Sequence, residues 1–234
     1  TVKGGALDLY FTGLAPITTS GSGGTLTIVG DSEPQLIEVI AADDASVGGP
    51  AGFTRIQAWN CDRDGTFPHG YQPYEYFDFA AGAFTALVVQ GLGGADIVDL
   101  VSLDAGEAAI TTVSLQGGDG DDILSTRTTA KSGGNFALTL DGGDGNDTLN
   151  VGTLSNVRNI TGLSTKSLDL IGSSVTVTGG NQTDSIVLTD SASVASHTYT
   201  VTDTTITRAA TQVVSYTTAE SLRLVSGTVN DTIK

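Results

Sequence analysis

The chain has 234 residues, of which 26 are acidic and 10 basic, for a formal net charge of −16. That balance excludes nucleic acid as a partner, because phosphate neutralisation needs clustered Lys and Arg, and it disfavours docking on anionic membranes. No apolar run is long enough to span a bilayer, and the single cysteine, Cys61, rules out an intrachain disulfide or a cysteine zinc cluster.

In chain order, residues 1–52 read as N-terminal β coils or a cap, with a period-two strand over 26–29. Residues 53–84 differ from everything else: they hold nine of the fourteen aromatics (Phe53, Trp59, Phe67, Tyr71, Tyr74, Tyr76, Phe77, Phe79 and Phe84). This stretch reads as a folded, aromatic-rich insert. Inside it, Asn60-Cys61-Asp62-Arg63-Asp64-Gly65 supplies oxygens at places one, three and five and glycine at six, the first half of a calcium loop. Asn60, Asp62 and Asp64 are therefore candidate ligands. Tyr71 stands at place twelve, so no EF-hand is expected, and a polar turn over a small aromatic core is the alternative.

Residues 85–234 read as β repeats. Strands are expected over 86–89, 168–171, 175–177 and 222–224, and β chemistry over 199–207. Two segments carry the chemistry: Gly117-Gly118-Asp119-Gly120-Asp121-Asp122-Ile123-Leu124 and Gly142-Gly143-Asp144-Gly145-Asn146-Asp147-Thr148-Leu149. Each follows a short alternating strand. Glycines permit the positive φ of a tight turn that aims carbonyls inward, the aspartate at the sixth place adds a carboxylate, and the hydrophobe two residues on re-enters the core. Oxygen ligands alone suit a hard cation, calcium above all.

Weaker copies extend the register. Gly91-Leu92-Gly93-Gly94-Ala95-Asp96 keeps the aspartate with scrambled glycines, Gly179-Gly180-Asn181-Gln182-Thr183-Asp184 keeps the leading pair, and Ser226-Gly227-Thr228-Val229-Asn230-Asp231 keeps one glycine. Near the start, Gly30 to Ile37 has the outline with Gln35 in the aspartate place. Aspartates thus fall at 96, 122, 147, 184 and 231, with the longer later gaps read as an insertion and then two coils. Recurrence at this period marks a solenoid or array.

These turns resemble the G-G-x-G-x-D-x-U-x nonapeptide of the RTX family, whose turns bind Ca²⁺ along a parallel β-roll. The resemblance implies Asp122 and Asp147 as ligating carboxylates, with carbonyls from Gly117, Gly118, Asp119 and Gly120 and from Gly142, Gly143, Asp144 and Gly145; Asp96 is a further candidate. RTX nonapeptides run in tandem, whereas here one copy appears per 25 residues or more. The expected fold is accordingly all-β: a right-handed parallel β-helix with coils of about 25 residues and an aromatic-rich insert.

The expected function is that of an extracellular, calcium-stabilised structural or adhesive β-helix of a bacterial surface or assembly-forming protein. Calcium would be its cofactor; a further copy of itself or a surface polysaccharide would be its partner. A chain without methionine that starts at Thr1 also reads as a mature or excised piece. The alternative is a calcium-dependent polysaccharide lyase, since parallel β-helices host such enzymes. No G-x-S-x-G elbow occurs, and His69 and His197 have no companion motif for acid–base work. Catalysis is therefore not expected.

Overall fold

The computed structural model describes residues 7–10, 17–19, 24–60, 75–131, 134–155, 166–208 and 211–234. All regular structure among them is β-strand. In chain order these are β1 (Leu7–Tyr10), β2 (Ile17–Thr19), β3 (Thr25–Val29), β4 (Gln35–Ala41), β5 (Phe53–Asn60), β6 (Glu75–Ala80) and β7 (Ala86–Gly93). There follow β8 (Ile97–Leu100), β9 (Thr112–Asp119), β10 (Ile123–Thr126), β11 (Ala130–Lys131), β12 (Gly134–Asn135), β13 (Ala137–Asp144) and β14 (Thr148–Val151). The last are β15 (Val175–Asn181), β16 (Ser185–Thr189), β17 (Thr198–Val201), β18 (Thr205–Arg208), β19 (Thr211–Thr217), β20 (Ser221–Val225) and β21 (Thr232–Ile233).

Two large sheets result. The first has the order β1-β3-β7-β9-β13-β15-β19-β18-β17-β21, the second β2-β6-β5-β4-β8-β10-β14-β16-β20; β11 and β12 form a small antiparallel pair. Through the middle, the chain alternates between sheets: a strand in the first, a tight turn, a strand in the second, then a return. Neighbouring strands along this run are parallel, β7–β9, β9–β13 and β13–β15 in one sheet and β8–β10, β10–β14 and β14–β16 in the other. A parallel pair cannot be joined by a hairpin, so each return must cross over.

The side-chain alternation puts one apolar file of every strand between the sheets. Leu87, Val113, Leu138 and Val175 lie in register in the first sheet, and Val98, Leu124, Leu149 and Ile186 in the second. All eight are buried and belong to one continuous core cluster. A fully buried side chain of this kind contributes roughly 1.5–3 kcal/mol, so the core depends on register more than on any single residue.

The aromatic stretch departs from the parallel pattern. β4, β5 and β6 pair antiparallel within the second sheet. Ile56, Phe77, Phe79 and Phe84 join the main core, whereas Trp59 packs with Leu36 and Ile97 in a second cluster. Arg55 is bonded by Asp78 at 2.6 Å and lies 4.1 Å from the centroid of the Tyr76 ring.

One expectation is corrected. Residues 168–171 form a turn, not a strand, although Leu168 and Ile171 are buried. The alternating run 199–207 is β structure, as expected, and folds back on itself as the β17–β18 antiparallel pair. Asp190, buried beneath that hairpin, accepts bonds from the Leu168 amide (2.9 Å), the Tyr199 hydroxyl (2.5 Å) and Arg208 (3.0 Å), and these partners hold its carboxyl below the usual range despite burial. No helix among the described residues is long and apolar enough to cross a membrane.

Candidate functional site

The turns between the two sheets stack one above another. The residue just before each of these register partners occupies an equivalent place, because Leu36, Ile97, Ile123, Thr148, Ser185 and Ser221 pair in succession across the second sheet. The column is therefore Gln35, Asp96, Asp122, Asp147, Asp184 and Glu220. Both Asp96 and Asp184 belong to it, as does Gln35. Asp231 does not: Glu220 takes the next place, and the steps of 26, 25, 37 and 36 residues are each a single repeat. Asp231 instead holds the His197 amide at 2.8 Å, the two residues standing just before the paired strands β21 and β17 of the first sheet.

Each carboxylate reaches back one repeat. The Gln35 amide donates to Asp96 Oδ1 at 2.8 Å, the Asp96 amide to Asp122 Oδ1 at 2.7 Å, and the Asp122 amide to Asp147 Oδ1 at 2.8 Å. The Asp147 amide donates to Asp184 Oδ1 at 2.9 Å, and the Asp184 amide to Glu220 Oε2 at 2.7 Å. These are charge-assisted bonds, stronger than neutral amide–carbonyl pairs. They satisfy amides that would otherwise be orphaned at a buried corner.

The glycines have two separate duties. Those at the second and fourth places take positive φ, for example 115° at Gly118 and 134° at Gly120. Where glycine is missing the conformation persists at a cost: Leu92 has φ 82° and Gln182 has φ 81°. The first glycine has no such φ; it gives room. A Cβ on Gly117 would collide with Asp122 Oδ2 and with the carbonyl of Gly142 in the next repeat; Gly91, Gly142 and Gly179 each face the equivalent pair, Oδ2 of Asp96, Asp147 and Asp184 with the carbonyls of Gly117, Gly179 and Thr218. The copy at 91–96 thus keeps glycine at places one and four, and only its second place departs.

The second carboxylate oxygen carries the unusual electrostatics. Oδ2 of Asp96, Asp122, Asp147 and Asp184, and of Asp231, is buried and accepts no hydrogen bond. Burial, with the neighbouring carboxylates adding to it, pushes Asp96 up to about 8, Asp122 up to about 7 and Asp147 up to about 6, against the bonded amides that pull the other way. Asp184 is raised for the same first reason.

The other predicted ligands fall outside this column. Asp119 and Asp144 are register partners but exposed, and Asp144 Oδ1 takes its bond from Asn181 Nδ2. Beside the column, a hollow of about 140 Å³ is lined by Asp96, Asp121, Asp122 and Asn146 among others. Asn60 ends β5, while Asp62 and Asp64 lie outside the described residues. Among the described residues no group of three or more His, Cys, Asp or Glu side chains is placed to hold a metal together. The donor chemistry of the column nevertheless fits a hard cation. It offers one unpartnered carboxylate oxygen per repeat, next to a turn carbonyl of the following repeat.

Glu220 was missed in the sequence because Thr217-Thr218-Ala219 precedes it in place of glycines; the usable signal was an acid directly before the alternating Ser221-Leu222-Arg223-Leu224. A Ser193 Oγ to His197 Nε2 contact of 2.8 Å was also not foreseen, and Ser193 is buried. No family model, no curated protein and no solved structure matches the chain.

Proposed function

We propose that this chain is a non-catalytic structural segment of an extracellular or cell-surface bacterial protein, wound as a right-handed parallel β-helix and stabilised by calcium. One observation carries the reading: the unbroken file of buried carboxylates, each with one oxygen used and one without a partner. Such a file is self-repelling, and taking charge out of water is costly without a counter-ion. Calcium would supply that countercharge. Asp96, Asp122 and Asp147 would hold it through their free oxygens, together with turn carbonyls such as those of Gly117 and Gly142. The RTX-like turn sequence agrees with this. Outside the cell, millimolar calcium fills even weak sites, so folding would be coupled to arrival in that medium.

The test is a thermal melt followed by circular dichroism at low protein concentration, in excess calcium and then in chelator. A calcium-dependent rise of several degrees, reduced in Asp122→Ala and Asp147→Ala, is the expected result. An identical melt in calcium and chelator would remove calcium from the account and leave a metal-free carboxylate ladder.

A further inference from the structure

The steps of the column are alike except at one place. Gly91, Gly117, Gly142 and Gly179 each face an acid oxygen of their own repeat and a carbonyl of the next. Gly30 faces the same arrangement with a different atom in it. A methyl carbon there would lie 2.5 Å from Gln35 Oε1 and 2.6 Å from the Gly91 carbonyl. The first step therefore has the shape of the others, with a neutral amide oxygen where they have a carboxylate oxygen. The two kinds of oxygen also differ in their bonding. Oδ2 of Asp96, Asp122, Asp147 and Asp184 accepts no hydrogen bond, whereas Gln35 Oε1 takes one from the Asp31 amide at 3.4 Å.

The column stops at Gln35 inside the fold, not at a sheet edge. β4 has a strand on its far side, β5, which runs antiparallel and sets Asn60 opposite Gln35. Each acid of the column holds the amide of the preceding repeat with its first oxygen. No parallel strand adjoins β4 on that side, so the register that supplies such an amide ends here. Gln35 is 1% exposed. A carboxylate in its place would be buried with a poorer set of donors than its fellows, at a cost that a neutral amide does not carry.

We propose that Gln35 terminates the cation column: its hydrogen-bonded amide closes the file of ligand oxygens, so that the first step holds no calcium and binding begins at Asp96. This rests on the calcium reading above and fixes where binding stops. The shape of the first step is already right for an ion; what it lacks is charge, and the number of charged ligands is what tunes calcium affinity. One side chain thus sets the length of the ion file.

The experiment counts calcium bound per chain at saturation, by equilibrium dialysis at neutral pH and metal analysis, on the parent and three variants. Gln35→Glu exchanges the amide nitrogen for oxygen at unchanged shape and makes the first step a copy of the rest. It should bind about one more ion per chain than the parent. In chelator its Tm should fall below the parent's, because a further acid is buried without countercharge, and calcium should restore it. Thr112→Glu adds the same charge at an exposed place in β9 and should bind as the parent does. Gln35→Ala removes the amide oxygen and should also keep the parent's count, a readout that stands whether or not the glutamate variant folds. A folded Gln35→Glu chain with the parent's count, an ion gained equally by Thr112→Glu, or an ion lost in Gln35→Ala overturns the proposal and leaves the calcium reading intact. A parent that binds no calcium removes that reading and this proposal with it, so the two failures are told apart.

Discussion

Replacing Gly117 by alanine should do more harm than its backbone conformation suggests. Gly117 has no positive φ, and a propensity argument alone would predict a neutral or stabilising change. The added methyl, however, meets Asp122 Oδ2 and the Gly142 carbonyl. Moving the carboxylate aside weakens its 2.7 Å bond from the Asp96 amide, a charged bond contributing roughly 1.5–3 kcal/mol. Overpacking adds roughly 1–3 kcal/mol, so about 3 kcal/mol is expected for the pair of effects. For a chain of this length that lowers Tm by roughly 6–12 °C. Gly48→Ala is the control: φ is 69° there and nothing lies within 4 Å of the new methyl, so backbone strain alone remains, about 1–2 kcal/mol. The assay is chemical denaturation of both variants, and of Gly117→Ala combined with Asp122→Ala. Without the carboxylate, the alanine should cost at least about 1 kcal/mol less than in the parent. A Gly117→Ala cost no larger than that of Gly48→Ala, or strictly additive costs in the double variant, would refute the reasoning.

Two further outcomes follow from the same corner. In chelator, the carboxyls of Asp96, Asp122 and Asp147, raised to about 8, 7 and 6, contribute stability in their protonated form. That contribution is complete below pH ~4 and is lost as pH rises through those values. Tm should therefore fall between pH 5 and pH 8, and calcium should abolish the fall; Asp122→Asn should melt above the parent in chelator at pH 8, by roughly 4 kcal/mol at most, and below it in calcium. A metal-free Tm that climbs over this range contradicts the burial argument. Leu92→Gly should be neutral or stabilising by about 1 kcal/mol, since Leu92 holds φ 82° with its side chain 46% exposed; a loss beyond about 1 kcal/mol by denaturation would show that the leucine packs usefully.

Much of this corner was legible in the sequence because glycine and aspartate report backbone demands directly. The spacing of Asp96, Asp122 and Asp147 and the placement of Gln35 gave the stacking order. What stayed hidden was anything a non-glycine could do at a strain cost, as Gln182 does, or that a longer acid could replace, as Glu220 does for aspartate. Apolar alternation also could not tell a parallel strand from a hairpin: the 199–207 run satisfies both, and a buried pair such as Leu168 and Ile171 fits a turn as well as a strand. Asp190 was invisible for a different reason, since its partners Leu168, Tyr199 and Arg208 come from three places in the chain.

The links of the carboxylate column are interchangeable. The bond from the Asp96 amide to Asp122 and the bond from the Asp122 amide to Asp147 are the same bond at the same register, 26 and 25 residues apart. An in-frame deletion of residues 97–122 would hand Asp147 to the amide of Asp96 and close the gap without a mismatched strand, while a slip of a single residue would turn every side chain to the wrong face. Lineages of such a gene can therefore lengthen or shorten their product by whole turns through unequal recombination, and point insertions inside a turn would be purged.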